Sequence, residues 1–577
     1  MEFSNLNNNE FWKKVRECDD YQFLREELTA LYKKNCTGEL SLLTYSDYCI
    51  FFETGSRKEY EEGYFLRRRR LDILAVLCKI YPDNEPYFKQ LENTIWAVLD
   101  EYSWALPAHV PDRNSYVPEF IDLFAAETGY CLSEMKSMFS GRLSPLMVSR
   151  ITFELDRRII KSFYAGRYWW ESFPNNWAAV CAGSVGITFL YERPELFYAV
   201  KPRIDGAMKT FLSSYKSDGV CREGLGYWNY GFGYFCYYAA HLRTFSDGTD
   251  NLLALPQVKT IAKFQQQMFL KGSVTVSFAD GSDNSSYILG LTHFLKAEFG
   301  DDFIIPKKVN HSILDTCGRS GAFSFSFLFY NKKLISGESA GSCLFADSAW
   351  FTMRNKTYAF AAKGGTNDEP HNHNDLGSFI LADESGQLVC DLGCGEYTRQ
   401  YFEPDTRYSI LCNSSLGHGV PIIGGEAQRE GAEFFAALCK TENGICIDLT
   451  HAYQTDAIKH IKRRFGFSEN AVTLNDALVK MGMTDAFDDS KADFSGMAEL
   501  DDGNSLCISR VLHKTFIAVD ERGTKAGAAT VVEMTEGAAY MPEQPKEVIL
   551  DRPFVYMLVD CENGNAPIFI GVTASVR

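Results

Sequence analysis

The sequence predicts an α+β multidomain protein in which a long helical part is followed by antiparallel β-structure. Apolar residues recur at three- and four-residue steps through the first half of the chain. From Cys343 onward, β-branched and aromatic residues gather in short segments between turn signals. At 577 residues the chain is too long for one ordinary core, so two or three domains are expected.

In order, Phe88, Leu91, Ile95, Leu99 and Tyr102 follow the breaker Pro82-Asp-Asn-Glu-Pro86 and mark one amphipathic helix with its start. Similar patterns fill Phe120 to Thr128, Arg150 to Tyr164, Trp177 to Tyr191 and Leu252 to Phe269. Many helices in series with short polar breaks suggest stacked helical hairpins over residues 1–342. The texture changes near Ser342, and Ala349-Trp-Phe-Thr-Met-Arg and Thr357-Tyr-Ala-Phe-Ala-Ala read as strands of a second region, 343–472. A third region, 473–577, opens on Leu474-Asn-Asp-Ala-Leu-Val-Lys-Met-Gly-Met483 and turns to strands again.

Composition is that of a soluble globular chain, 46% hydrophobic and 23% charged. The opening residues have no basic and apolar leader pattern, and no stretch is long enough to span a bilayer, so a cytoplasmic protein with no membrane partner is expected. The 17 cysteines are scattered and odd in number, in keeping with reduced thiols. A net charge of −17 repels nucleic acids. Arg67 to Arg70 form the obvious basic run, read as a solvated helix end.

Four residues stand out for chemistry. His371 and His373 lie in Pro370-His-Asn-His-Asn-Asp-Leu-Gly-Ser-Phe379, in a chain with only 10 histidines. In a strand, side chains two apart share a face. Beyond Phe379 the apolar stretch, the Glu384-Ser-Gly turn and the next apolar stretch read as a hairpin that brings Asp391 opposite Leu376 to Ser378. Two imidazoles and a carboxylate suit an open zinc site, and His418, after a further strand-like stretch, adds to the set. A His-x-His pair alone also serves as a plain hydrogen-bonded pair.

Pro174-Asn-Asn-Trp-Ala-Ala-Val-Cys-Ala-Gly183, Glu223-Gly-Leu-Gly-Tyr-Trp-Asn-Tyr-Gly231, Trp104-Ala-Leu-Pro-Ala-His109 and the His371 run together closely resemble the heparinase II/III-like polysaccharide lyases over about residues 1–464. The resemblance implies an incomplete α/α toroid followed by an antiparallel β-sandwich, with the active site between them. It implies a metal, Zn2+ or another divalent cation such as Mn2+, on His373, Asp391 and His418. It further implies β-elimination on an anionic, uronate-containing poly- or oligosaccharide of the glycosaminoglycan or alginate type. Asn175 and Asn176 match the pair that neutralises the uronate carboxylate, aided by His371, and many relatives carry Asn-His at this pair. Tyr227 and Tyr408 match the tyrosines that move protons. A phenol of pKa about 10 needs a nearby cation or hydrogen bonds to act as a base at neutral pH, and Arg407 is placed to help Tyr408.

Each residue also has a plainer role open to it. Asn176 before an apolar helix can be an N-cap, and Tyr227 and Tyr230 sit among 30 tyrosines, most of them packing residues. Gly224, Gly226, Gly231 and Gly233 follow no strand and lack Lys-Ser/Thr, which excludes a phosphate loop.

The C-terminal part resembles something else. Met481-Gly-Met-Thr-Asp-Ala-Phe487, Ile508-Ser-Arg-Val-Leu-His-Lys514, Asp520-Glu-Arg-Gly-Thr-Lys-Ala-Gly-Ala-Ala-Thr530 and Arg552-Pro-Phe-Val-Tyr556 are similar, in order, to the last part of a serpin, over about residues 474–577. Glu521 to Thr530 then matches the hinge of the reactive loop, with a scissile bond near Glu536 to Ala539. Serpin inhibition requires that loop to insert into a large sheet, most of which has no counterpart in this chain. The alternatives to a lyase are therefore a serpin-like protease-inhibitor segment or a hybrid with neither activity, and the junction reads as a gene fusion or an assembly join.

Overall fold

The computed structural model describes residues 3–307, 311–337, 339–423, 426–454, 460–469 and 471–476. Beyond Asp476 it describes the backbone of the strands Leu506–Asp520, Gly523–Glu536, Phe554–Asp560 and Ala566–Thr573. Among the described residues no helix is long and apolar enough to cross a membrane.

Helices fill the first part. The main ones are α1 (Lys58–Ile80), α2 (Glu85–Leu99), α3 (Leu123–Met138), α4 (Asn176–Glu192), α5 (Pro194–Ser213), α6 (Gly233–Phe245), α7 (Leu289–Phe299) and α8 (Ser320–Leu328). Local chemistry sets their ends. Asn84 and Asp122 accept hydrogen bonds from the first-turn amides of α2 and α3, and Pro194 opens α5 where its missing N–H costs nothing. α2 stops at Leu99, short of Tyr102. The segment Leu252 to Phe269, expected as one helix, is broken into a 3-10 turn and the short helices Pro256–Ala262 and Phe264–Met268.

α4 is buried nearly all round and packs against α3, α5 and α6. Its small residues permit this: a Cβ on Gly186 would lie 2.6 Å from the Tyr238 ring. α7 and α8 approach more closely still, since a Cβ on Gly290 would fall 2.1 Å from the Phe325 carbonyl carbon.

The β part is a sandwich of two five-stranded antiparallel sheets. Its strands are β1 (Gly341–Phe345), β2 (Trp350–Arg354), β3 (Ala359–Lys363), β4 (Gly365–Asn367), β5 (Phe379–Asp383), β6 (Gly386–Val389), β7 (Gly431–Thr441), β8 (Gly444–His451), β9 (Lys462–Phe467) and β10 (Val472–Asp476). One sheet runs β6-β5-β3-β2-β1 and the other β4-β7-β8-β9-β10. Phe351, Met353, Phe360 and Ala362 of the first meet Leu438, Ile445, Ile447 and Phe465 of the second, with Phe360 and Phe465 centroids 4.9 Å apart.

The first sheet is covered on its other face too. Trp350, Ala359, Ala361, Ile380 and Ala382 join the helical core, and Trp350 packs edge-on to Phe278 at 5.3 Å. Burial on both faces explains why β2 and β3 are buried at every position rather than at alternate ones. The Arg354 guanidinium strengthens the seam by donating to the Phe269 carbonyl at 2.8 Å.

The basic run departs from the reading given above. Arg67, Arg68 and Arg70 are buried in the middle of α1. Arg68 holds both oxygens of Glu101 at 2.7 and 2.8 Å, Arg67 reaches Glu101 at 3.1 Å, and Arg70 donates to the Gly38 carbonyl at 2.8 Å. The carboxylate that makes this possible lies over thirty residues away, so composition around the run does not reveal it. Glu101→Ala leaves two buried guanidinium groups short of their counter-charge and is expected to destabilise the protein by about 3–5 kcal/mol, read from denaturant unfolding; a loss under 1 kcal/mol would mean that the cluster is solvated.

Candidate active site and metal centre

The His371 run is a loop, not a strand. His371 has a left-handed backbone, φ 57°, so strand alternation does not set the two imidazoles. A carboxylate from the helical part does. Asp280, buried, accepts from His371 Nδ1 at 2.5 Å and from His373 Nε2 at 3.1 Å. It also accepts from the Tyr397 hydroxyl at 2.8 Å and from the Tyr401 hydroxyl. Burial alone would raise this carboxyl, but the two histidines hold it well below the usual carboxylate range. Asp280 is therefore ionised, and each imidazole points an N–H at it.

The expected hairpin forms: β5 pairs with β6, Leu381 opposite Val389, and places Asp391 beside Ser378, whose hydroxyl donates to Asp391 Oδ2 at 2.9 Å. His373, Asp391 and His418 come together, with one ligand atom from each lying within 4.8 Å of the others. All three side chains are buried. The polar bookkeeping fits a cation. With Nε2 donating to Asp280, His373 Nδ1 is a lone pair, and it has no hydrogen-bond partner. His418 Nε2 lies 2.8 Å from the Cys412 carbonyl, which can only accept, while its Nδ1 faces Asp391 Oδ2 at 2.8 Å. Asp391 is lowered to about 2 because His418 and His373 outweigh its burial. Two imidazoles whose far nitrogens are fixed by a carboxylate and a carbonyl make the arrangement that orients metal ligands.

Beside the His371 loop lies a small cleft lined by Asn176, Tyr215, Arg222, Glu223, Tyr227 and Pro370 among others. The His371 ring lies over the Tyr227 ring, centroids 4.3 Å apart at 34°, and its Nε2 is 3.4 Å from Glu223 Oε2. Tyr227 and Tyr397 hydroxyls are 3.0 Å apart. Since Tyr397 gives its proton to Asp280, Tyr227 donates to Tyr397. Burial and then the Asp280 charge push the Tyr227 phenol well above its ordinary value, so it stays protonated.

Asn175 and Asn176 divide the work that the sequence left to either. Asn175 is the N-cap, accepting from the Trp177 amide at 3.0 Å, which leaves the buried Asn176 amide for the cleft. Tyr408 is half-buried and its hydroxyl lies 3.5 Å from the Asn372 amide nitrogen. Arg407 does not serve it as expected. Its guanidinium donates to the carbonyls of Asn372 and Tyr401 and its carbon is 6.0 Å from the Tyr408 ring; those buried carbonyls would otherwise lack a donor.

Sequence reasoning missed Asp280, Tyr397 and Tyr401 and gave Glu223 no role. Ala279-Asp280-Gly281 reads as an ordinary turn, and only the left-handed Ala279, φ 55°, marks it as unusual. Both Asp280 and Asp391 are depressed in the folded state, so their stabilisation is full above the unfolded value near 4 and is lost as pH falls toward 2. Asp280→Asn is expected to cost about 1–3 kcal/mol at pH 7 and to flatten the acid limb of the stability curve, measured by urea unfolding from pH 7 to pH 2; an unchanged limb would contradict the assignment.

The serpin family model, for serine protease inhibitors, matches residues 463–576. Over 243 residues the chain is 29% identical to an uncharacterized serpin-like protein of Thermococcus kodakarensis, covering 42% of this chain and 51% of that protein. It is 38% identical over 103 residues to the leukocyte elastase inhibitor of Homo sapiens, covering 18% of this chain and 25% of that one. The chain thus spans about half the length of the first of these relatives and a quarter of the second. In three dimensions it is similar to the crystal structure of heparinase III, with a TM-score of 0.50 at 14% identity, covering 92% of this chain and 90% of that one. The chain is accordingly a hybrid, a heparinase III-like fold of helices and β-sandwich that carries a serpin-matched segment at its C-terminal end.

Proposed function

We propose that the chain is a lyase that breaks uronate-containing glycans by β-elimination in the cleft between Asn176, Tyr227 and His371. The observation that carries this reading is the His371 imidazole, fixed by the ionised Asp280 against the face of a protonated Tyr227 at the edge of that cleft. The C5 proton of a uronate is not acidic while its carboxylate is charged. The Asn176 amide and, when it too carries a proton, His371 Nε2 would donate hydrogen bonds to that carboxylate and the enolate-like intermediate, with Asn175 holding the helix end in place. Tyr408, reacting as the phenolate with the Asn372 amide as hydrogen-bond donor, would take the C5 proton. As the C4–O4 bond breaks, Tyr227 would turn its proton from Tyr397 to the leaving O4. Proton transfers of this kind contribute roughly 10²–10⁴-fold each.

His373 Nδ1, Asp391 and His418 Nδ1 would hold Zn2+, or another divalent cation such as Mn2+. When bound, the ion would supply a fixed positive charge that secures the loop bearing His371.

Incubation with a uronate polymer is expected to generate the ultraviolet absorbance of an unsaturated uronate, with Tyr227→Phe and Tyr408→Phe at least about 10²-fold slower. No absorbance across heparan, chondroitin, hyaluronan and alginate would sink the proposal. Chelation is expected to lower the unfolding midpoint of the wild type but not of His373→Ala; equal midpoints with and without chelator would remove the metal.

The serpin match over 463–576 favours a second reading, a protease-inhibitor segment. Its scissile region lies largely outside the described residues, while the described part of the Glu521 to Thr530 hinge, Gly523 to Thr530, is already paired with His513 to Asp520 as a strand. A hinge so paired is not free to insert, so exposure to a serine protease is expected to give simple degradation; a covalent, detergent-resistant complex would reverse that.

A further inference from the structure

We infer that Glu223 is a specificity-determining residue of this cleft, demanding a hydrogen-bond donor, a hydroxyl or an amine, on the sugar beside it and turning away a sulfate ester at that position. This rests on the lyase reading and narrows its substrate to uronate glycans that are unsulfated at that contact.

Glu223 is 7% exposed and lines the cleft together with Asn176 and Tyr227. Its Oε2 is buried, makes no hydrogen bond and has His371 Nε2 3.4 Å away. A buried acceptor left open beside a cleft is satisfied when a ligand brings a donor, and it is penalised by a ligand that brings another acceptor. Charge points the same way. Among the residues lining the cleft the cation is Arg222, which is ion-paired with Glu369 and donates to the Ser214 carbonyl at 3.2 Å. Nearby, Lys216 is engaged by the Asp347 carbonyl at 2.9 Å and Arg407 by backbone carbonyls. The cleft offers a sulfate no uncommitted guanidinium and confronts it with Glu223, with Asp280 behind His371. A site built to accept from a hydroxyl discriminates strongly against an analogue that cannot donate.

The test compares wild type with Glu223→Gln on polymers that differ in sulfation, unsulfated chondroitin against chondroitin sulfate and heparosan against heparan sulfate. For the wild type, kcat/KM is expected to favour the unsulfated partner by at least about tenfold. The ratio is expected to contract toward unity in Glu223→Gln, whose amide can donate as well as accept and carries no charge. Equal wild-type rates on both partners, or an unchanged ratio in the variant, overturns the inference. Absence of cleavage on every polymer counts against the lyase reading itself. Calorimetric binding of matched oligosaccharides then decides on Glu223: equal affinity for sulfated and unsulfated forms overturns its role, and preference for the unsulfated form sustains it. If Glu223→Gln does not fold, the wild-type ratio decides alone.

Discussion

The Asp280 carboxylate ties the two halves of this molecule together at the place where its chemistry is concentrated. It comes from a turn in the helical part, and its hydrogen bonds go to His371, His373, Tyr397 and Tyr401, all in the β part. One oxygen fixes the histidine over the cleft and the other fixes His373 of the cluster that His373, Asp391 and His418 form. A buried carboxylate with so many donors is stable only as the anion, and the anion determines which nitrogen of each imidazole carries a proton. The roles assigned to Tyr227, Tyr397, His371 and His373 all descend from that single charge. Nothing else in the site could replace it without reversing hydrogen-bond directions.

That contact is held in register by the packing around it. The first sheet of the sandwich is buried on both sides, with Trp350, Ala359 and Ala361 against the helices and Phe351, Phe360 and Ala362 against the second sheet. Ala359 and Ala361 of β3 face the helices, so that strand and the helices come close, and the Arg354 and Ser348 hydrogen bonds to Phe269 and Asp218 cross the seam. A sheet that slid by one residue would exchange its two faces and put phenylalanines where alanines are needed. Placing β3 thereby places the loop that follows β4 and carries His371.

The C-terminal segment enters the same architecture. The serpin match begins at Arg463, inside β9, and β9 pairs with β8 through contacts such as Ile445 opposite Phe465. Arg463 donates to the Gly377 carbonyl at 3.0 Å, near the end of the His371 run. β10 then pairs with β9, so the edge of the second sheet is formed by residues that fall within the serpin match. An edge strand supplied in this way covers backbone groups that would otherwise stand open.

Amphipathic spacing and turn chemistry in the sequence were enough to determine the helical part, the β part that follows it and the Phe379 to Asp391 hairpin, because those signals depend on neighbours a few residues apart. The pairing of His373 with Asp391 and His418 was legible for a related reason, since a hairpin has a simple register and histidines are few. Tertiary structure alone decided the rest. Arg67 and Arg68 became a buried pair because Glu101 lies against α1, and Arg407 was drawn to carbonyls rather than to Tyr408. Asp280 is more than ninety residues from His371 in the chain, and an aspartate in a turn has no local mark of what it will meet. Long-range electrostatic partners are set by which elements pack together, and that information is spread over the whole core rather than written beside the residue.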